Sequence, residues 1–495
     1  MVSIYASNQF KIKTFANTIP LLMKYIFLFF FLFIFSFALK AQNCNCNDNF
    51  LFLVEKIKKN YIGYPDKVNP SNQFQFKKFT DSLQHVASTS NSYKCLSLMR
   101  EWLSFFKDKH IDVGMDFSKL SPDSVKMFFA NEEKTTWTEK RFKSYLQENK
   151  KTLDSIEGIW NYGMYEIGIV KDHTKKNIEF IGFVIKADSV RWMPQQIKFK
   201  IGKTDNQYKT IYYSGGDHSV NYPALIKQND VLDFGFLGKW IRGERKAKTI
   251  PPPVYTEPNL MSSFKKLDNQ TSLLLLPSFN SKYKTRIDGL IEKNKDNLAN
   301  TKHLIIDVRD NSGGTTGCFE KIIPYLYTNP IHIDGGIVLA TDDNIRDCYE
   351  KDYPYASAAS RKELKKNAKK LRANLNEFYP LYKSSTLKLS KVLKNPERIS
   401  ILINGNTASS GEFFILRAEQ SKKVTLYGQN TAGSVDYGEM VITHPPCKFF
   451  TLVYPVAKSL HAIKRPLDNI GIAPNVIIPD QEVDWVNYVK NYKSN

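Results

Sequence analysis

"ILINGNTASSGEFFILRAEQ", residues 401–420, changes character halfway along. It opens as the end of an apolar run, "RISILING" (398–405), which reads as a buried strand, and becomes a helix through a cluster of small polar residues. Ser409 and Ser410 stand at the corner. Ser409-Ser410-Gly411-Glu412 fits S-x-x-E, the capping box in which serine and glutamate satisfy free amides at a helix start. The same corner suits a nucleophile, because the positive end of the helix dipole and the Ser410 N–H would face an oxyanion formed on Ser409. This stretch alone leaves both readings open.

Working outward, strands and helices alternate from residue 270 onward. "SLLLLPSF" (272–279) reads as a buried strand and 283–298 as a helix. "HLIIDVRDNSGG" (303–314) is a strand running into a glycine turn, followed by a helix from about Cys318, and "KVTLYG" (423–428) is a further strand. The alternation predicts an α/β domain, whose sites collect at the carboxyl ends of the strands. Gly313 and Gly314 make a second corner where bare backbone can approach a ligand.

Upstream, residues 47–106 read as three helices. Phe50, Leu53, Val54, Ile57 and Tyr61 share one face of the first, and the others cover 74–88 and 92–106. The third ends in "FFKDKHIDVGM", where Ile111, Val113 and Met115 begin an alternating pattern. Residues 155–245 alternate in short strands such as "QIKFKIGK", which predicts a small antiparallel barrel or sandwich. "GFLG" (235–238) is weakly similar to a PDZ carboxylate-binding loop, and "TIPPPVYTEP" (249–258) reads as a linker.

"MKYIFLFFFLFIFSFALKAQ" (23–42) has the layout of a secretory signal, with a basic start, an apolar run and a small residue, Ala41, before polar sequence. Export permits disulfides, so Cys44 or Cys46 with Cys95 is a candidate bridge. The CxC at 44–46 lacks a second Cys/His pair at metal-ligand spacing, so no metal is expected. The formal charge is +21, but the lysines are scattered, with runs such as "KKNAKK" (365–370), and no basic stripe interleaves with stacking aromatics. Solvated surface is the expectation, not a nucleic-acid partner.

"LIIDVRDNSGG", "ILINGNTASSGE", "VTLYGQNTAGS" and "GIAPNVIIPD", in that order, resemble the serine peptidase family that includes the C-terminal processing (tail-specific) proteases and the tricorn core. "FFKDKHIDV" resembles its D-x-H segment, so the likeness covers about 50–120 and 255–480. It implies an α/β, ClpP/crotonase-like catalytic domain, here with a helical N-terminal segment and an inserted antiparallel β domain. The expected layout is a leader at 1–41 with its signal at 23–41, a helical segment at 42–120 and the β insertion at 150–247. A linker at 248–258, the peptidase domain at 259–482 and a C-terminal tail at 483–495 complete it.

Carried over by motif, Ser409 is the nucleophile, Ser410 supplies one oxyanion N–H, and Gly313 or Gly314 the other. The processing-protease branch places a lysine base where this chain has Ser434, so a Ser–Lys dyad is ruled out at that position. The tricorn-like branch takes its base from the D-x-H segment, which is His110 here, oriented by a carboxylate that falls on Asp468. Lys109 replaces the serine preceding that histidine and would lower its basicity if it pointed inward. Ser434, Asp436 and Tyr437 are candidate pocket residues.

The expected activity is that of an exported serine endopeptidase, periplasmic, surface-bound or secreted, acting on peptides or proteins. It needs no metal or organic cofactor, and the mature chain has no stable membrane span. The alternative is an inactive binding protein on the same scaffold, whose β insertion grips peptide, glycan or lipid.

Overall fold

A computed structural model describes residues 44–495 apart from 173–177, 205, 206, 222, 224, 244–260, 354, 355, 480, 481, 483 and 493–495. The predicted leader (1–41) and linker (248–258) lie outside the described residues. No helix among the described residues is long and apolar enough to cross a membrane.

The three N-terminal helices are Cys46–Asn60, Gln73–Thr89 and Ser92–Ser104, with a one-turn helix, Tyr64–Lys67, after the first. Phe50, Leu53, Val54 and Ile57 are buried along one face of the first, as their spacing requires. They meet a cluster of aromatic rings in which Trp102 lies 5.5 Å from Phe76 and 5.1 Å from Phe106. Trp102 Nε1 donates to Thr80 Oγ1 at 2.9 Å, so the buried indole keeps a partner. Cys46 and Cys95 are buried free thiols, and no bridge joins them. Cys447, by contrast, is disulfide-bonded.

Residues 158–242 form one nine-stranded antiparallel sheet running from Gly158–Tyr162 to Lys239–Arg242 in sequence. Its hydrogen-bonded path is open, ending on Val220–Asn221 and Ile226–Gln228. Trp160, Phe199 and Trp240 belong to one buried cluster of this region, Phe142 and Phe183 to another. The "GFLG" stretch is a 3-10 turn, with φ of 64° at Gly235 and 109° at Gly238.

Two further sheets carry the candidate site. One is parallel through Thr271–Leu275, His303–Asp307, Arg398–Ile403, Val424–Gly428 and Val476–Ile477, with Ser263–Lys266 antiparallel on its edge. Its central strands are near-continuous apolar runs because both faces are covered. The other sheet is antiparallel and draws on distant segments: Asp112–Met115, Phe450–Ser459, Gly336–Leu339 and Phe378–Tyr382, with Tyr437–Thr443 also on Phe450–Ser459.

This second sheet corrects the expected ClpP/crotonase-like architecture. The described residues form an α/β arrangement in which a separate five-stranded antiparallel sheet accompanies the six-stranded, largely parallel one. The physical reason is pairing. Val113 opposes Leu452 and both are fully buried, so the strand after the D-x-H segment spends its edge on the antiparallel sheet. The alternation at 111–115 showed a strand but not its partner, more than three hundred residues away.

Candidate active site

The Ser409 corner is braced before the helix starts. Thr407 Oγ1 donates to the Val308 carbonyl at 2.9 Å, and Ala408 N–H donates to the Asn311 carbonyl at 2.9 Å. These bonds tie the end of Arg398–Ile403 to the glycine turn that follows His303–Asp307. Helix Ser410–Ala418 begins at once, and Ser409 takes φ 52° and ψ −117°. A residue that only caps a helix sits in the extended region. Holding a serine at this φ,ψ costs of order 1–3 kcal/mol, which capping does not require. Ser409 and Glu412 do stand as a capping box, but one of its two bonds has full geometry, Glu412 Oε2 accepting Ser409 N–H at 3.1 Å.

The glycine turn presses against this corner. A Cβ on Gly313 would lie 2.8 Å from Ser410 N and 2.9 Å from Ser409 Cβ, and Gly313 has φ 98°. A Cβ on Gly314 would lie 2.1 Å from the Phe279 carbonyl oxygen. Ser410 Oγ donates to the Gly314 carbonyl at 2.9 Å, locking the two corners together. Gly313 N–H is taken by Asn311 Oδ1 at 2.9 Å, which removes it as an oxyanion donor. The N–H groups of Ser410 and Gly314 have no protein acceptor among the described residues.

Glu412 is fully buried and collects the surroundings. Its Oε1 accepts Thr431 Oγ1–H at 2.5 Å and Gly433 N–H at 2.8 Å. Its Oε2 accepts Ser409 N–H, Ser434 N–H at 2.8 Å and Ser434 Oγ–H at 3.3 Å. Ser434, where the other branch has lysine, is therefore engaged with this carboxylate.

The 431–436 loop also holds the remaining candidates. Lys109 Nζ donates to the Ala432 carbonyl at 2.5 Å, so its ammonium anchors the D-x-H segment to the loop. Gly433 accepts from Asn469 N–H at 2.9 Å, and Asp436 accepts the N–H groups of Leu467 and Asp468 at 3.0 and 3.1 Å. Asp436 also meets His461 Nε2 at 2.9 Å, while His461 Nδ1 meets Ser459 Oγ at 2.7 Å. Burial works to raise the Asp436 carboxyl, yet His461 and the two amides hold it below the ordinary range. Tyr437 donates to Asp66 Oδ2 at 2.8 Å and packs on Tyr61. Ser434, Asp436 and Tyr437 are thus framework side chains.

His110 has a largely buried side chain, and its Nδ1 is buried without a hydrogen-bond partner. The nearest carboxylate is Asp108, whose Oδ1 lies 3.6 Å from that nitrogen and accepts His110 N–H at 2.8 Å. Asp108 Oδ2 accepts from Tyr61 O–H at 2.8 Å. Asp468 pairs instead with Lys67 of the Tyr64–Lys67 helix. Burial raises the Asp468 carboxyl, and Lys67 only partly opposes it. No hydrogen bond joins His110 to Ser409 or to Asp468 in this state. Asp108 lay inside the D-x-H motif and was legible as a carboxylate near the base. Lys67 carried no sequence signal.

A separate serine–histidine contact occurs at His303 Nε2 and Ser400 Oγ, 2.9 Å apart. Arg398 Nη2 donates to His303 Nδ1 at 2.9 Å, so the neutral ring carries its proton on Nε2 and donates to the serine. It has no lone pair left to take the Ser400 proton. The histidine also opens strand His303–Asp307, at the end away from the Ser409 corner. Burial, then the Arg398 guanidinium, push its pKa down to about 4.

Residues 270–478 match the model of peptidase family S41, and this span runs from the strand Thr271–Leu275 to Val476–Ile477. The motif resemblance to the tail-specific and tricorn-type peptidases holds over that segment. Mature CPAF complexed with lactacystin is similar at 12% identity and TM-score 0.45, over 89% of this chain and 94% of that one. The photosystem II D1 C-terminal processing protease is similar at 13% identity and TM-score 0.37, over 89% and 94%. The tricorn protease is similar at 13% identity and TM-score 0.36, over 88% of this chain and 34% of that one. No curated protein matches the chain.

Replacing Glu412 by Gln places an NH₂ among groups that all donate. The expected loss is about 2–4 kcal/mol of unfolding free energy, read from urea denaturation. The depressed His303 pKa predicts a pH slope. The unfolded state binds the proton more readily, so stability is complete above pH of about 6.5 and declines by up to about 3 kcal/mol as pH falls toward 4. A His303→Gln variant should lose that contribution to the slope.

Proposed function

We propose that the chain is a serine peptidase that hydrolyses peptide bonds with Ser409 as nucleophile. The observation that carries this reading is the positive-φ Ser409 at a helix mouth, flanked by two N–H groups without protein acceptors. In the proposed reaction His110 takes the Ser409 proton as Oγ attacks the scissile carbonyl. The oxyanion forms against the amides of Ser410 and Gly314 and the positive helix end. The imidazolium then protonates the leaving amine, and the same ring draws a proton from water in deacylation.

Asp108 steadies the imidazolium by proximity, and Asp468 is the carboxylate the family resemblance implies. Substitution by asparagine separates them, because the orienting residue costs turnover while the other affects mainly stability. Export through the 23–41 signal, a peptide or protein substrate and separate helical, β-insertion and peptidase segments belong to the same proposal.

An alkyl fluorophosphonate probe tests it. Wild type should be labelled and Ser409→Ala should not. Absence of labelling in folded wild type would overturn the reading and leave a binding protein on a peptidase scaffold. Gly313→Ala should cut labelling about a hundredfold or more, since the added methyl would lie against the Ser410 amide and the Ser409 Cβ.

A further inference from the structure

Between helix Ala358–Arg372 and strand Phe378–Tyr382 runs a groove of about 490 Å³, on the antiparallel sheet. Lys362, Lys366 and Lys370 line it from successive turns of the helix, and Lys383 lines it from beyond the strand end. None of the four ammonium groups has an ion-pair partner among the described residues. The groove includes one acid, Glu363, so it keeps a net excess of three positive charges. Its apolar lining is Ala359 and the buried Leu381.

Asn367 sets this groove apart from an ordinary solvated face. It lies between Lys366 and Lys370 in the lining, is 8% exposed, and its side chain has no hydrogen-bond partner among the described residues. The residue is largely covered, but its carboxamide is not among the buried unpaired polar atoms, so its donors and acceptor stay accessible from the groove that it lines.

We propose that the groove binds an extended acidic peptide segment, its carboxylates on the lysine row and its backbone on Asn367. Spacing supports this. Residues four apart on a helix are separated by about 6 Å along its axis, and alternate residues of an extended chain by about 6.7 Å. Three acids at alternate positions therefore meet three lysines with little distortion. The carboxamide chooses between anions. It presents one acceptor and two donors, which match a peptide unit, whereas phosphate groups offer acceptors only. No arginine is present for the bidentate contact that phosphate favours. Tyr382, in the groove wall, donates to Glu439 Oε1 at 3.2 Å, which ties the groove to the strand that begins at Tyr437.

The site does not depend on Ser409 chemistry, so it is tested in the full chain carrying Ser409→Ala. A fluorescein-labelled peptide with aspartate at alternate positions should bind by anisotropy, with affinity that falls as salt rises. The same peptide with lysine for aspartate should bind at least about tenfold more weakly. Lys362→Glu with Lys366→Glu, both on exposed positions, should weaken the acidic peptide about tenfold. Asn367→Leu should also weaken it while leaving the salt dependence unchanged. Equal affinity for the two peptides, or no effect of the lysine substitutions in a folded variant, overturns the site. Competition by polyphosphate of the same charge as effective as unlabelled peptide overturns the peptide assignment in favour of simple anion binding. Fluorophosphonate labelling of the lysine variant with Ser409 intact reports the peptidase reading separately.

Discussion

One buried carboxylate organises the candidate site. Glu412 accepts hydrogen bonds from Ser409, Thr431, Gly433 and Ser434, so the start of helix Ser410–Ala418 and the 431–436 loop share a single acceptor. A fully buried carboxylate is tolerable only when donors replace the water it has lost. Here they come from backbone and small side chains. The corner is therefore rigid at the place where Ser409 is forced to positive φ. Strain of that kind persists where the surroundings over-determine the backbone.

From this hub the remaining parts are reached through the 431–436 loop. Lys109 reaches back to Ala432, Asn469 to Gly433, and the amides before Asn469 to Asp436. The D-x-H segment and the Asp468 turn are thus each fastened to the loop that donates to Glu412 of helix Ser410–Ala418. The N-terminal helices contribute as well, through Tyr61 on Asp108 and Lys67 on Asp468. The N-terminal helical segment thus holds both Asp108, which lies beside His110, and Asp468.

The parts legible in the sequence were those whose geometry is local. Both strand-to-helix corners could be read because glycines and S-x-x-E impose a backbone path within a few residues. The direction of Lys109 could not, since its partner lies 323 residues onward. The antiparallel sheet was hidden for the same reason. An alternating pattern announces a strand but not its neighbour, so an expected ClpP/crotonase-like domain gave way to a parallel sheet accompanied by an antiparallel one with Asp112–Met115 at an end. Ser434 looked like a pocket residue by its place in the motif, and burial of Glu412 turned it into a donor for that carboxylate.

Sequence by itself determined the serine corner, the glycine turn facing it and the D-x-H segment, because short-range sterics and hydrogen bonding decide each within a dozen residues. Only the tertiary structure decided which carboxylate lies beside His110, that Lys67 pairs with Asp468, and that Gly313 shapes the corner while the Gly314 amide stays available. Those outcomes depend on which long-range contacts close in space. Their energies come from burial and partner geometry, which no local pattern encodes.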